Sequence, residues 1–369
     1  MGVAGVVLER QGDSYSVRIS DGTILYCKIF FCILNTLGYV VLAANMLATD
    51  LNSKKTPELS LLLIAIVWGI IIVTQTVLFT YGTFRLKCRM EEMISCLKDI
   101  QKVHKGINTK LEDLKNPFSD VIKKFVIWAY VLAYVSLILN IWANIYSKTV
   151  YTEYWRLIVQ HLENKMIVLI LAQISLVALD IETVVKTINN GLQELIQIRD
   201  LKRKYFKTLT TAYMSLCDIV KNFNDNNSTM IGMLMLVIPL YILMSGEYLL
   251  NLIVKDRGPV TLNIYIRIIG NLMWFICHLV SMFVLIEPCH RVHERMNETQ
   301  ILVTKLMYSV TSAGEPIPFE LDIFYKQIEL YKPTITARVF NLHRGQLSII
   351  MVGVVTYLTI IVQHYSTHL

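Results

Sequence analysis

A chain of 369 residues that is 54% apolar and only 17% charged, with a mean hydropathy of +0.50, excludes an ordinary soluble domain and points to a polytopic membrane protein. The net charge of +7 is spread among the connections between apolar runs, so it speaks of topology and anionic headgroups and not of nucleic-acid binding. Of the seven cysteines, three lie in apolar runs and four in long basic connections, a distribution that implies no extracellular disulfide framework.

In chain order, residues 1–23 are mixed and polar, with Glu9, Arg10, Asp13, Arg18 and Asp21, and read as a cytosolic tail and not a signal peptide. Apolar runs long enough to cross a bilayer follow at 24–48, 59–83, 125–146, 166–186, 230–253, 264–288 and 346–365. The fourth carries Asp180 and Glu182, expected to meet water or basic loop residues at its inner end. The connections 49–58, 147–165 and 254–263 are short, whereas 84–124, 187–229 and 289–345 are long. Lys and Arg number 25 in the tail and long connections and 7 in the short ones. Basic residues collect on the cytoplasmic side, so the expected fold is an all-α membrane protein of seven transmembrane helices, N-terminus cytoplasmic and C-terminus extracellular. This inverts the G-protein-coupled receptor, and the sequence has no DRY-like triplet after the third span and no NPxxY-like end to the seventh. The sequon-like strings Asn226–Asn227–Ser228, Asn227–Ser228–Thr229 and Asn297–Glu298–Thr299 then lie on the cytosolic side, as chance matches.

The long connections have helical patterning. In 85–107 an apolar stripe runs through Leu86, Met90, Met93, Ile94, Leu97, Ile100 and Val103. The segment 289–345 continues the sixth span as "HRVHERMNETQILVTKLMYSV" and then holds "FELDIFYKQIELYKP" with its proline stop. It reads as a cytosolic anchor segment. Domain organisation is thus a tail (1–23), six spans with a pocket and helical extensions (24–288), the anchor segment (289–345) and a last helix with the C-terminus (346–369).

Two polar constellations carry the functional reading. In the last span Ser348, Val352, Thr356, Thr359 and Gln363 recur at spacings of 4, 4, 3 and 4, which places them on one helical face. Such a stripe either hydrogen-bonds across to neighbouring helices or lines a water-filled conduit. One helix cannot enclose a pore, so the second alternative requires several copies around a symmetry axis. Ile360 is then a candidate hydrophobic constriction, and the lack of Asp or Glu in the stripe implies weak ion selectivity. The sixth span carries Arg267, Asn271, Trp274 and His278 at spacings of 4, 3 and 4. Glu247 is the candidate partner of Arg267, and Tyr130, Tyr134, Tyr241, Ser245 and Tyr248 supply aromatic and polar neighbours. This set is either an outward-facing ligand pocket or a structural ion pair among interfacial aromatics. Cys289, His290 and His293 have a spacing compatible with zinc but read as a solvated helix face, so no metal is expected. No P-loop, H-E-x-x-H motif or nucleophile elbow is present; neither enzymatic activity nor a cofactor is expected.

The C-terminal string "TYLTIIVQH" (Thr356–His364) resembles the TYhhhhhQF signature of insect gustatory receptors, where h is hydrophobic. Thr356, Tyr357 and Gln363 match, and His364 stands where the family has Phe. "CHRVHERMNETQILVTKLM", "FYKQIEL" and "FNLHRGQLSIIMVGVVTYL" are similar to the family as well. The resemblance implies a tetrameric, ligand-gated, poorly selective cation channel in the plasma membrane of chemosensory neurons. Its expected partners are an external small-molecule tastant, other copies of itself or related subunits, and membrane lipid. Thr356, Tyr357, Thr359, Ile360, Gln363 and His364 would form the pore and gate. The chain is short for the family, which favours the bitter-type branch. A titratable His364 at the gate predicts pH-sensitive gating between roughly pH 5 and 7. The competing readings are a seven-span receptor signalling through a cytosolic transducer and a membrane transporter.

Overall fold

The computed structural model describes residues 6–11, 14–19, 85–107, 117–146, 151–198, 203–255, 262–312, 319–331, 333–338 and 340–367, with isolated helical positions between 29 and 77. The first two predicted spans, with Cys27, Lys28 and Cys32, lie almost wholly outside the described residues. The helices are α1 (Leu86–Ile107), α2 (Pro117–Tyr146), α3 (Tyr151–Ile198), α4 (Arg203–Lys255), α5 (Leu262–Ser312), α6 (Phe319–Leu330) and α7 (Arg344–Thr367). Two antiparallel hairpins accompany them: β1 (Val6–Gln11) with β2 (Ser14–Ile19), and β3 (Thr336–Ala337) with β4 (Phe340–Asn341).

Helices α3, α4 and α5 hold 48, 53 and 51 residues. At about 1.5 Å per residue each is roughly two and a half times as long as a bilayer's hydrocarbon core is thick, so each is far longer than a single crossing needs. Residues 187–198, 203–229 and 289–312 of the long basic connections therefore continue these long helices, whereas Leu86–Ile107 forms a helix of its own. Met93 and Ile100 of the α1 stripe are buried, and Leu97 and Val103 pack against the same core. Residues 151–165, expected as part of a short connection, instead open α3.

α3 and α5 run parallel and in register. Ser175 Oγ donates to the Val284 carbonyl at 2.8 Å, and further along Asn189 Nδ2 donates to the Arg295 carbonyl at 3.0 Å. The first bond has a local cause. Pro288 lies inside α5 and has no N–H, so the carbonyl four residues earlier, that of Val284, loses its helical donor. Ser175 supplies one from the neighbouring helix. Beyond this point Thr299, fully buried, donates to Asn189 Oδ1 at 2.6 Å, while Glu182 lies 4.0 Å from Arg295, the basic partner expected for it.

The core continues into the anchor segment. Phe324 of α6 sits edge-on to Phe206 and Tyr213 of α4, at 5.7 and 5.6 Å between centroids, and Glu320 accepts an ion-paired hydrogen bond from Arg203. The stretch before α7 is extended and not helical. Arg338 takes the left-handed conformation (φ 56°) in the tight β3–β4 turn, and Asn224 of α4 holds the strand edge. Its amide donates to the Thr334 carbonyl at 2.6 Å, and its Oδ1 accepts from the Thr336 N–H at 3.1 Å. The segment 1–23, expected as a plain tail, contains the β1–β2 hairpin.

Candidate functional site

α7 has two unlike faces. Val354 is its one buried side chain among those described, and Leu347, Ile350 and Leu358 pack against the core on the same side. Ser348, Val352, Thr356, Thr359, Ile360 and Gln363 are exposed on the opposite side. Most of the predicted polar stripe thus lies on the face that α7 turns away from its own subunit, while Thr359 edges a crevice toward α4 and α5. Thr356 Oγ1 donates to the Val352 carbonyl and Thr359 Oγ1 to the Val355 carbonyl, both at 2.8 Å. These hydroxyls are satisfied within the helix and need no cross-helix acceptor. Tyr357 is half-buried and leaves the stripe. His364 is helical, but its side chain lies outside the described residues.

The second constellation draws on four helices. His278 of α5 is buried and stacks on Tyr241 of α4 at 4.7 Å and on Trp274 at 5.5 Å. His161 of α3 meets Tyr134 of α2 edge-on at 5.0 Å and Trp274 at 6.4 Å. The Lys165 ammonium lies 3.6 Å from the centre of the Tyr134 ring, a cation–π contact, and 6.0 Å from that of Tyr130. The Tyr130 hydroxyl points to the Lys165 carbonyl at 3.5 Å. Ser136 Oγ donates to the Gly270 carbonyl at 3.0 Å and fastens α2 to α5 beside the cluster. Tyr130, Tyr134, Tyr241, Trp274 and His278 are therefore brought together as the sequence suggests.

Other predicted members stand apart in role. Asn271 and Ser245 donate to the Arg267 and Tyr241 carbonyls of their own helices. Glu247 is buried, Arg267 half-buried and Tyr248 exposed; Glu247 and Arg267 each have a polar or electrostatic partner. His161 and Lys165 were missed because 147–165 reads as a connection. His161 is 2% exposed, and neither of its ring nitrogens has a hydrogen-bond partner. An unsatisfied buried polar group costs about 1–3 kcal/mol, so a hydrogen-bonding guest at this ring would recover free energy.

A crevice of about 400 Å³ lies between α4, α5 and α7, lined by Gly246, Leu250, Phe275, Leu358, Thr359 and Val362 among others. At Gly246 a Cβ would sit 3.0 Å from Leu358 Cδ1, so glycine sets how closely α4 approaches α7 there. Burial pushes the Cys96 thiol up to about 11 and the Cys217 thiol up to about 12. Cys289, read as part of a solvated face with His290 and His293, is instead fully buried, and His293 meets Asn297.

Four described helices are long and apolar enough to cross a membrane, and the ring cluster is enclosed among the longest of them. This is the build of a multi-pass membrane protein with an interhelical site. The chain belongs to the 7tm chemosensory receptor family, whose model matches residues 18–367. Among solved structures it is similar to the insect olfactory receptor OR5 from Machilis hrabei, at 10% identity over 98% of this chain and 95% of that chain, with a TM-score of 0.59. The same receptor in complex with eugenol gives 10% identity, 98% and 94% coverage and a TM-score of 0.57. At this identity the likeness concerns the fold. No curated protein matches the chain.

Proposed function

We propose that the chain is a subunit of a tetrameric taste receptor, a ligand-gated and poorly selective cation channel opened by an external small molecule. It has seven spans in this reading, with the N-terminus cytoplasmic and the C-terminus extracellular. The observation that carries the proposal is the orientation of α7: Thr356 and Gln363 are exposed on the side opposite its packed residues Val354 and Leu358. With the threonine hydroxyls bonded to their own helix, the Gln363 amide is the group costly against lipid, and water around a shared axis accommodates it. Four copies of α7 then enclose a conduit with no fixed charge on that stripe, narrowed at Ile360 and gated near Gln363 and His364. The ring cluster is the ligand pocket. Aromatic walls, two buried imidazoles and Lys165 offer stacking and hydrogen bonds to a small molecule, and Glu247 and Arg267 mark its outer rim. Ligand binding shifts the closed–open equilibrium by its differential affinity for the two states. The taste assignment rests on the TYhhhhhQ signature at Thr356–Gln363; the related olfactory receptor OR5 was solved with eugenol, a small organic molecule.

The test is expression in cells lacking other receptors, with a C-terminal tag and a panel of bitter compounds. Surface labelling of the tag on intact cells, with ligand-evoked cation current that needs no added G protein, is expected. A tag reached only after permeabilisation would overturn the topology, and a response that requires a transducer would favour the competing receptor reading.

A further inference from the structure

Glu287 stands immediately before Pro288 in α5 and is 3% exposed. A carboxylate taken so far out of water requires compensation, and it has three donors. Arg344 Nε reaches Glu287 Oε2 at 2.9 Å, Arg344 Nη2 reaches Oε1 at 2.7 Å, and Arg291 Nε reaches Oε1 at 3.0 Å. The Arg344 contact is the two-pronged guanidinium–carboxylate fork, the strongest and most directional form of such a pair. Arg344 is also the first residue of α7. A cation there opposes the helix dipole, whereas an anion next to it agrees with the dipole, so Glu287 suits that helix start in two ways.

The placement gives the pair its meaning. α7 buries only Val354 among its described side chains, so its apolar hold on its own subunit is slight. The fork fixes its base to α5. Nine residues away on α5, about 14 Å along the axis, His278 belongs to the ring cluster. The bond between Ser175 and the Val284 carbonyl adds α3 to the same junction. One helix therefore carries the candidate pocket at one level and the tether of the candidate pore helix at another.

We propose that Glu287 is a positioning residue for gating: its fork with Arg344 holds the base of α7 in the resting arrangement and suppresses opening without ligand. The proposal rests on the channel reading above. Without the fork, α7 keeps its weak apolar contacts and redistributes toward the open arrangement.

The experiment uses the full-length protein and needs no ligand. Resting cation current per surface channel is recorded for the parent, E287Q, R344Q, R344K and E287Q/R344Q. Amide hydrogen exchange over the first turn of α7 is measured on the same purified proteins in lipid nanodiscs. E287Q and R344Q are expected to raise resting current about fivefold or more and to speed exchange in that turn. R344K, which keeps the charge but not the fork, is expected to fall between parent and R344Q. The double variant is expected to match the single ones, because both remove the same contact. A residue needed only for folding would lower surface amount and leave resting current per channel unchanged. Exchange unaltered in all variants would overturn the tether. Faster exchange with parental resting current would overturn its link to gating. If the parent and every variant lack current while exchange responds as expected, the channel reading fails and the gating role falls with it.

Discussion

α3 and α7 have nearly the same mean hydropathy in their most apolar windows, 2.1 and 2.0, yet 72% of that window is buried in α3 and 6% in α7. Hydropathy sets which segments leave water; it does not set whether they meet their own chain, lipid or another copy. The difference lies in patterning. α3 is apolar around much of its surface and inserts Leu171, Ile181 and Ile188 among α4 and α5, and Leu179 against Val284 of α5 and Phe125 of α2. α7 packs Leu347, Ile350, Val354 and Leu358 within the subunit and leaves uncovered the other side, where Thr356 and Gln363 mix with Ile349, Val352 and Ile360. The one is a mast for the fold; the other leaves most of its surface uncovered by its own chain.

That contrast can be broken from either side. The largest effect is expected at the mast: Leu179→Ala leaves a cavity in a packed interhelical core and should cost about 2–5 kcal/mol, read as a lower thermal midpoint and reduced surface expression. Val352→Ala on the uncovered side of α7 should change the midpoint by only about 0.5 kcal/mol or less. His161→Phe comes next. It keeps a ring against Tyr134 and Trp274 while removing an unsatisfied imidazole, so it should stabilise the protein by roughly 1 kcal/mol and weaken ligand response about tenfold or more. Loss of stability with an intact response would remove His161 from the pocket. Gln363→Leu should leave folding and ligand sensitivity within about twofold and reduce single-channel conductance, because it strips a dipole from the conduit. The smallest change is expected from His364→Phe. Protonated His364 would place positive charge at the gate, so current should fall as external pH drops from roughly 7 to 5 and that dependence should vanish in the variant. An unchanged pH profile would exclude His364 as its source.

Much of this was legible in the sequence because it is periodic. The α1 stripe, the α7 stripe and the tyrosines of α2 and α4 follow from spacing alone. Other features depend on register between distant segments. His161 joins Trp274 only because α3 runs parallel to α5, and nothing within 151–165 encodes that alignment. The β1–β2 hairpin had a local signal in Gly12–Asp13 between two alternating segments, overlooked among charged residues. The β3–β4 hairpin is held by Asn224, more than a hundred residues earlier in the chain. Asn227 and Thr299, parts of the sequon-like strings, prove to be buried structural groups.

The hydroxyl of Ser175 has a mechanical consequence. A proline inside a long helix usually leaves a loose carbonyl that water or lipid headgroups compete for, and the bend there wanders. In α5 that oxygen is already engaged by Ser175 of α3, so the segment just before Glu287 is fastened to a second helix and is not left to compete for solvent.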